Sequence, residues 1–290
     1  MGWVIITRLT QEISIMKSNR FGALVPHLLL GLSLALAAPL LQAGPVDCGN
    51  KPISLAFFDF GVLYYEKDGQ GHGIDKDIVD ELAKRTGCKF ATQVMPRARV
   101  WADMASGNLD MTVSAIQNAE RERFAWFAPD TTAKNYALIR KSAAATTRNR
   151  EDFLANSQLQ FGVVRGFKHG DELDQWLGQL PQAQRVQESA SLSILFEKLK
   201  AGRIDGMFAQ SVVYRKYLQD LNMEHDVAVQ DWAPGDKGVI GGLLLAKSRF
   251  SEAEAVRWQA LMRQMHSDGT LEKIFTRHVS AAEAKKLADF

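Results

Sequence analysis

The residues best suited to chemistry in this sequence are small polar side chains and arginines between positions 114 and 123. Ser114 and Ala115 close an apolar run, where a strand of an α/β sheet is expected to present ligand-binding groups. Asn118 can cap a short helix, whose free N–H groups and a nearby guanidinium could together hold an anionic group. By spacing alone Arg121 and Arg123 are equally available, and a surface helix with solvated charges is the alternative.

Aromatic side chains that could form the walls of a ligand pocket follow the first predicted strand. They are Phe58, Phe60, Tyr64, Tyr65 and Trp101. Packing in the core is the alternative, and we expect it for Phe58. Asp59 could accept a hydrogen bond from a ligand ammonium group, or it could cap the turn before Gly61.

The sequence contains no motif typical of a hydrolase, a metal site or a nucleotide-binding site. We find no Ser-His-Asp order, no HExxH, no P-loop and no dinucleotide-binding fingerprint. The chain has two cysteines, which are too few for a structural zinc site and lack CxxC spacing. We therefore expect a protein that is not an enzyme and that carries neither a metal nor a cofactor.

Residues 1–43 have the composition of a signal peptide. Lys17 and Arg20 precede an apolar run, and Ala43 is a small residue at the predicted cleavage site. A membrane anchor is the alternative, but prolines interrupt the run, and a spanning helix needs about 20 mostly apolar residues. Met16 is a second candidate initiator. We predict export to the periplasm.

Cleavage after Ala43 would leave a chain without net charge. The full sequence carries a formal charge of +2, and cleavage removes Arg8, Lys17, Arg20 and Glu12. The remaining chain therefore has a formal charge of zero, which offers no electrostatic footprint for nucleic acid or anionic lipid. We expect no nucleic-acid partner.

Cys48 and Cys88 both remain after the predicted cleavage. An even pair of cysteines in an exported protein indicates one disulfide, and two separate buried thiols are the alternative. The two residues flank the starts of two predicted strands that we expect to be neighbours.

Short apolar runs alternate with helical patterns from residue 53 onward, which indicates α/β units with mainly parallel sheets. The first half is predicted to contain strands at 53–58, 88–94 and 111–116 and helices at 75–85 and 100–105. The second half is predicted to contain strands at 159–164 and 206–209 and helices at 172–177 and 192–201. Residues 130–148 link the halves, and residues 241–247 return to the first.

Six motifs occur in a fixed order along the chain after residue 43. They are Gly73-Ile-Asp-Lys-Asp-Ile-Val-Asp-Glu-Leu-Ala-Lys-Arg-Thr-Gly, Gly107-Asn-Leu-Asp-Met, Glu120-Arg-Glu-Arg-Phe-Ala-Trp-Phe-Ala-Pro, Phe161-Gly-Val-Val-Arg-Gly, Leu199-Lys-Ala-Gly-Arg-Ile-Asp and Ser267-Asp-Gly-Thr-Leu-Glu-Lys-Ile. Together they resemble the bacterial extracellular solute-binding proteins of family 3, which include the amino-acid receptors of ABC importers.

The resemblance implies a type II periplasmic-binding-protein fold, with two α/β lobes joined by two crossing strands. It implies a first lobe of residues 44–134 and 241–290 and a second of residues 135–240. The implied function is to capture a small polar ligand, an amino acid or related carboxylate, and deliver it to the permease of an ABC transporter. It also assigns the carboxylate-clamping arginine to Arg121. We expect the protein to act as a monomer.

Two positions depart from the pattern that the resemblance implies. Amino-acid binders of the family usually carry Ser or Thr after the glycine of the second lobe's first turn, whereas Gly166 is followed by Phe167. They hold the α-ammonium group with an aspartate where this chain has Gln210, and a neutral amide cannot replace that charge-assisted bond. The cations expected around the cleft, which favour a more anionic ligand, are Arg97, Arg99 and Lys168.

Two other functions remain open from the sequence. The fold that the resemblance implies also serves periplasmic cyclohexadienyl or arogenate dehydratases, in which carboxylates of the cleft act as acid and base. Asp59 is the one candidate for such a group. The third possibility is a ligand-sensing receptor subunit.

Overall fold

The computed structural model describes residues 44–290, so the signal peptide predicted for residues 1–43 lies outside the described residues. None of the helices in residues 44–290 is long and apolar enough to cross a membrane. The strands of this part of the chain are β1 (Ile53–Phe57), β2 (Tyr65–Lys67), β3 (Gln70–His72), β4 (Phe90–Val94), β5 (Met111–Ile116), β6 (Ala125–Ala133), β7 (Asn135–Arg140), β8 (Phe161–Val164), β9 (Val186–Ser189), β10 (Gly206–Gln210), β11 (Val227–Gln230) and β12 (Val239–Ala246).

Helices alternate with these strands. They are α1 (Ile74–Thr86), α2 (Arg97–Ser106), α3 (Ala119–Glu122), α4 (Lys141–Ala144), α5 (Arg150–Ala155), α6 (Asp171–Leu177), α7 (Gln182–Arg185), α8 (Leu192–Lys200), α9 (Ser211–Asp220), α10 (Glu252–Ser267), α11 (Thr270–Phe275) and α12 (Ala281–Leu287).

The first sheet has five strands in the order β4-β1-β5-β12-β6. β1 is parallel to both β4 and β5, as required for strands connected through helices α1 and α2. β12 is antiparallel to β5 and β6, because it enters from the second half of the chain. We call this sheet and the helices packed on it the first lobe.

The second sheet repeats this arrangement with the order β11-β7-β10-β8-β9. β8 is parallel to β9 and β10, and β7 is antiparallel to β10 and β11. We call this sheet and its helices the second lobe. The chain crosses between the lobes at Lys134, between β6 and β7, and returns between β11 and β12. The fold is therefore the two-lobed α/β architecture expected from the sequence, with mixed sheets.

Local sequence signals explain where the helices of the first lobe begin and end. On α1, Ile74, Ile78 and Leu82 are buried along one face, which is the apolar stripe of an amphipathic helix. The helix ends at Gly87, which adopts a left-handed conformation with φ 74° that glycine accepts without strain. Helix α10 begins with a capping box in which Ser251 and Glu254 satisfy each other's backbone N–H groups.

Each lobe has a core that holds its part of the site in place. In the second lobe, five rings pack in edge-to-face or tilted contacts with centroids 4.8 to 6.4 Å apart: Phe153, Phe161, Trp176, Phe208 and Trp232. In the first lobe, Trp258 of α10 is fully buried against Phe90 and Phe250. Such packing of large rings fixes the position of the strands that carry the site.

The predicted disulfide is present in the first lobe. Cys48 is bonded to Cys88, and their Cα atoms lie 5.2 Å apart. The bond ties the segment that enters β1 to the segment that enters β4, and these strands are neighbours in the first sheet.

Candidate functional site

The two lobes meet along a surface that we call the seam. The first lobe contributes Phe60, Gly61, Arg97, Trp101 and Arg121, and the second contributes Gly166, Phe167, Gln210, Val213 and Tyr217. The rings of Phe60 and Phe167 meet edge to face across it, with centroids 5.6 Å apart. Two cavities of about 10 Å³ lie along the seam, and Phe60 and Gln210 line both. Each is about large enough for one water molecule, so a larger ligand can enter only if the lobes part.

Arg121 connects the two lobes through its guanidinium group. The side chain of Asn118 caps α3 by accepting a hydrogen bond of 2.9 Å from the backbone N–H of Arg121. The guanidinium donates to the carbonyl oxygen of Ile116 in the first lobe at 2.6 Å and to that of Gly166 in the second at 3.1 Å. Burial lowers the pKa of Arg121 to about 10, so it stays charged at neutral pH.

Trp101 of α2 reinforces the same contact. Its indole N–H donates to the Gly166 carbonyl at 2.9 Å, and its ring lies 3.8 Å from the Arg121 guanidinium in a cation–π contact. Gly166 has φ 76°, and a Cβ at this position would lie 3.0 Å from the indole. A glycine is therefore needed here, both for the turn and for the approach of the ring.

Arg97 is the second buried arginine of the seam. It is 4% exposed, and its guanidinium carbon lies 3.7, 4.5 and 4.6 Å from the ring centroids of Phe58, Phe60 and Phe167. Its Nη2 atom has no hydrogen-bond partner within residues 44–290. Burial and the nearby charge of Arg121 both lower the pKa of Arg97. The seam thus holds two desolvated guanidinium groups, one of them with a free donor.

Asp75 is a buried carboxylic acid close enough to Arg97 to affect its pKa. The Ser114 hydroxyl lies 2.9 and 2.7 Å from its two carboxylate oxygens, and Ser114 has φ 46°, a strained left-handed conformation for a residue with a side chain. Burial raises the pKa of Asp75 to about 7, against the opposing effects of Ser114 and Arg97. Asp75 is therefore only partly ionised at neutral pH and balances Arg97 incompletely.

A second buried carboxylic acid, Asp130, lies near Asp75. Neither of its carboxylate oxygens has a hydrogen-bond partner within residues 44–290. Burial, together with the negative charge of Asp75, raises the pKa of Asp130 well above its ordinary value. A protonated Asp130 adds no negative charge, so it leaves the positive potential of the two arginines in place.

The second lobe brings Phe167 and Gln210 to the seam. Gln210 is buried at the end of β10 and lines both small cavities. His169 packs on Phe167 with centroids 4.6 Å apart, and its Nδ1 lies 3.2 Å from Asp174. Burial lowers the pKa of His169, which favours the neutral imidazole.

Asp59 also lies at the seam, where its carboxylate accepts a hydrogen bond from the hydroxyl of Tyr217 in the second lobe. Burial, followed by the charge of Asp59, raises the pKa of Tyr217, so the phenol stays protonated as a donor. Ala115 is buried within β5 beside Ser114.

Three residues expected at the site point elsewhere. Tyr64 stacks on Phe57 inside the first lobe, with centroids 4.4 Å apart. Arg99 is 68% exposed and pairs with Asp103 at 2.7 Å, and Lys168 is exposed. No sequence pattern indicated a role for Asp75, Asp130 or the Gly166 carbonyl, because Asp75 lies in an ordinary helix pattern, Asp130 begins the predicted link between the halves, and the third group is a backbone atom.

Within residues 44–290 no group of His, Cys, Asp and Glu side chains could hold a metal ion. At the seam, two arginines, a neutral amide and aromatic walls suit an anionic ligand of modest size.

Comparison with known proteins agrees with this architecture. The sequence model of the bacterial extracellular solute-binding proteins, family 3, matches residues 58–281. The L-cystine-binding protein TcyJ of Escherichia coli is 21% identical over 220 residues, which cover 75% of this chain and 78% of TcyJ.

Two solved structures share the fold at low identity. The amino acid ABC transporter substrate-binding protein AbpA of Streptococcus pneumoniae, bound to L-arginine, superposes with a TM-score of 0.65 at 21% identity, covering 81% of this chain and 94% of AbpA. The ancestral amino acid-binding protein AncCDT-1, a precursor of cyclohexadienyl dehydratase, superposes with a TM-score of 0.64 at 22% identity, covering 78% of this chain and 95% of AncCDT-1.

Proposed function

The chain belongs to the bacterial extracellular solute-binding proteins, family 3, and from that premise we propose that it captures a small carboxylate between its lobes for an ABC importer. The ligand is an amino acid or a related carboxylate metabolite. We further propose a first lobe of residues 44–134 and 241–290, a second lobe of residues 135–240, export by the segment 1–43, and action in the periplasm as a monomer.

The observation that carries this proposal is the pair of buried arginines at the seam. Two like charges held close together in a desolvated position are costly for the protein alone, because burial and mutual repulsion both disfavour the charged forms. An anionic ligand would offset that cost. Arg97, with a free donor, and Arg121, which already bridges the lobes, are the groups we assign to it.

The charge of the seam also restricts the chemical class of the ligand. A basic side chain such as that of L-arginine, which AbpA binds, would meet Arg97 and Arg121 without a carboxylate at Gln210 to receive it. A ligand with a second acidic group and no basic side chain suits the two arginines better, because each guanidinium group can then pair with a carboxylate. We therefore infer an anionic ligand rather than a neutral or basic amino acid.

The packing of the seam supports a mechanism of opening and closing. Phe60 and Phe167 fill the space between the lobes when these are in contact, so the ligand must enter an opened form. Closure onto the ligand then buries it against Arg97, and Phe60 and Phe167 must give up part of their mutual contact to make room for it. Two distinct states of this kind are what a transporter needs in order to recognise a loaded receptor.

Native mass spectrometry of the freshly purified protein tests this proposal, followed by denaturation to release and identify the bound compound. We expect a small carboxylate that stabilises the protein saturably, by about 2.7 kcal/mol at 100 times its dissociation constant. A released compound without any acidic group, or no stabilisation by carboxylates, would overturn the assignment.

A dehydratase-like enzyme on the same fold is the alternative, and the carboxylate of Asp59 at the seam is the observation that favours it. Its bond to Tyr217 would have to break before Asp59 could act as acid or base. Incubation of the purified protein with prephenate and arogenate distinguishes a binding protein from a dehydratase. Consumption of either compound would favour the dehydratase. A sensing receptor subunit would bind the same ligand without an importer.

A further inference from the structure

A larger cavity of about 500 Å³ lies beside the crossing between β6 and β7, apart from the two small cavities of the seam. Its walls come from four segments: the crossing itself, helix α9 of the second lobe, the loop before β12, and helix α12. Helix α12 packs against β6 of the first lobe. The cavity is therefore lined by elements of both lobes and remains open to solvent on one side.

The cavity gathers four cationic side chains, one from each of these segments: Lys134, Arg215, Lys237 and Lys286. Lys134 forms an ion pair with Asp231 at 2.6 Å. The other three form no ion pair within residues 44–290. Like charges brought together by the fold repel one another. The four cations are distant in the sequence, so it is the fold that places them around one cavity.

The two carboxylates of the cavity, Glu283 and Asp289, do not balance this charge. Glu283 is buried and already accepts a hydrogen bond from the Ser211 hydroxyl of α9. Asp289 lies near the exposed end of the chain. With Lys134 balanced by Asp231, the lining still presents three cations against two carboxylates and carries a net positive charge.

The remaining surface of the cavity suits an organic ligand. The rings of Tyr136 and Tyr214 lie nearly perpendicular with centroids 6.3 Å apart, and Leu287 adds an apolar side chain. The volume falls in the range of small-molecule sites, about 300 to 1,000 Å³. Apolar faces beside basic groups favour a carbon skeleton with acidic substituents over a simple inorganic ion.

We propose that this cavity is a second binding site, for a small organic polyanion such as a di- or tricarboxylate. Because α9 and α12 belong to different lobes, a ligand held between them binds with an affinity that depends on the relative position of the lobes. By reciprocity, it changes the affinity of the seam for its own ligand. The site and its chemistry stand whether or not the proposed function of the seam holds.

Calorimetric titration with citrate at constant ionic strength, with chloride as the balancing anion, tests the proposal. Lys286→Ala should weaken citrate binding about tenfold, which corresponds to about 1.4 kcal/mol. Lys285→Ala is the matched control, because both lysines are exposed on the same helix but only Lys286 lines the cavity. It should change citrate affinity less than twofold. The double variant Arg215→Ala/Lys286→Ala should bind no citrate detectably.

The variant Arg97→Ala distinguishes citrate binding in this cavity from citrate binding at the seam. We expect Arg97→Ala to bind citrate like the wild type. Loss of citrate binding in Arg97→Ala with normal binding in Lys286→Ala would place citrate at the seam, overturning this site while supporting the proposed function. Absence of citrate binding in the wild type, or equal loss in Lys286→Ala and Lys285→Ala, would also overturn it. Circular dichroism and thermal unfolding of each variant confirm that it is folded.

Discussion

Gly61 of the first lobe packs directly on the backbone of Val213 in the second lobe. A Cβ at residue 61 would lie 2.7 Å from both the Cα and the carbonyl oxygen of Val213, which is closer than real Cβ atoms approach. Gly61 also has φ 63°, in the left-handed region. The closed seam therefore depends on the absence of a side chain at this position.

We predict that Gly61→Ala impairs closure. The added methyl group meets backbone that cannot move aside without separating the lobes, so ligand affinity should fall about tenfold or more. Small-angle X-ray scattering should show a larger radius of gyration for the liganded variant than for the liganded wild type. The matched control is Gly69→Ala, because Gly69 has φ 73° and open space around it. It carries the same backbone strain of about 1–2 kcal/mol but should close normally.

Arg97→Ala should weaken binding of the ligand identified by mass spectrometry by about 2 to 5 kcal/mol, because truncation leaves a buried acidic group without its partner. Arg99→Ala, on the exposed side of the same helix, should cost less than about 1 kcal/mol. Calorimetry of both variants measures the difference. Equal losses at Arg97 and Arg99 would mean that the buried guanidinium does not contact the ligand.

Arg121→Lys tests whether the site needs the planar guanidinium group of arginine or only a positive charge. Arg121 bridges Ile116 and Gly166 with two donors in a fixed geometry, which a lysine ammonium on its flexible chain cannot reproduce. Both Arg121→Lys and Arg121→Ala should weaken binding, whereas Arg123→Ala, at an exposed position, should have little effect. A larger loss at Arg123 than at Arg121 would show that the family's anchor has been assigned to the wrong arginine.

The position of Arg97 also illustrates how far sequence reasoning reaches. Arg97 and Arg99 lie two residues apart on α2, so they point about 200° apart around the helix axis, and only one can face the seam. The sequence named both, because nothing local says which face the second lobe covers. The structure buries Arg97 and leaves Arg99 in solvent.

Strands with a local apolar run were predicted from the sequence. A strand stabilised mainly by pairing with a distant segment was missed. β5 has the bounds expected from its apolar run, and α8 ends one residue before the predicted end. β6 was not predicted as a strand, because Pro129 and Asp130 are unfavourable there. Its long antiparallel pairing with β12 stabilises it, and that partner lies far away in the sequence.

Asp75→Asn should change how stability depends on pH. The pKa of Asp75 is raised to about 7 in the folded state, so the folded chain binds this proton more tightly than the unfolded chain. The free energy of unfolding should therefore fall as pH rises through the window from about 4 to about 7, by at most about 4 kcal/mol. Asparagine removes this contribution while keeping the shape of the side chain.

Thermal unfolding of wild type and Asp75→Asn between pH 5 and pH 8 measures the effect. The melting temperature of the wild type should fall with increasing pH relative to that of the variant. Parallel profiles would show that Ser114 and Arg97 hold the carboxylate ionised throughout.

Loss of the Cys48–Cys88 bond should destabilise the first lobe. The bond closes a loop with a sequence separation of 40, which corresponds to about 4 kcal/mol in the chain-entropy estimate. Reduction of the wild type with dithiothreitol should lower its melting temperature, whereas the same treatment should not affect the double variant Cys48→Ser/Cys88→Ser. If reduction shifts both proteins equally, the reagent acts elsewhere.

The position of Trp101 gives the molecule an optical reporter of its own state. Trp126 and Trp258 lie within the first lobe, and Trp176 and Trp232 lie within the second, so opening leaves their surroundings unchanged. Trp101 rests on Gly166 of the opposite lobe, and its indole loses that partner when the lobes separate. Intrinsic fluorescence should therefore shift to longer wavelength on opening, and among the tryptophans of residues 44–290 Trp101 should account for the change. A binding event could thus be followed in the unlabelled protein, in real time, before the identity of its ligand is known.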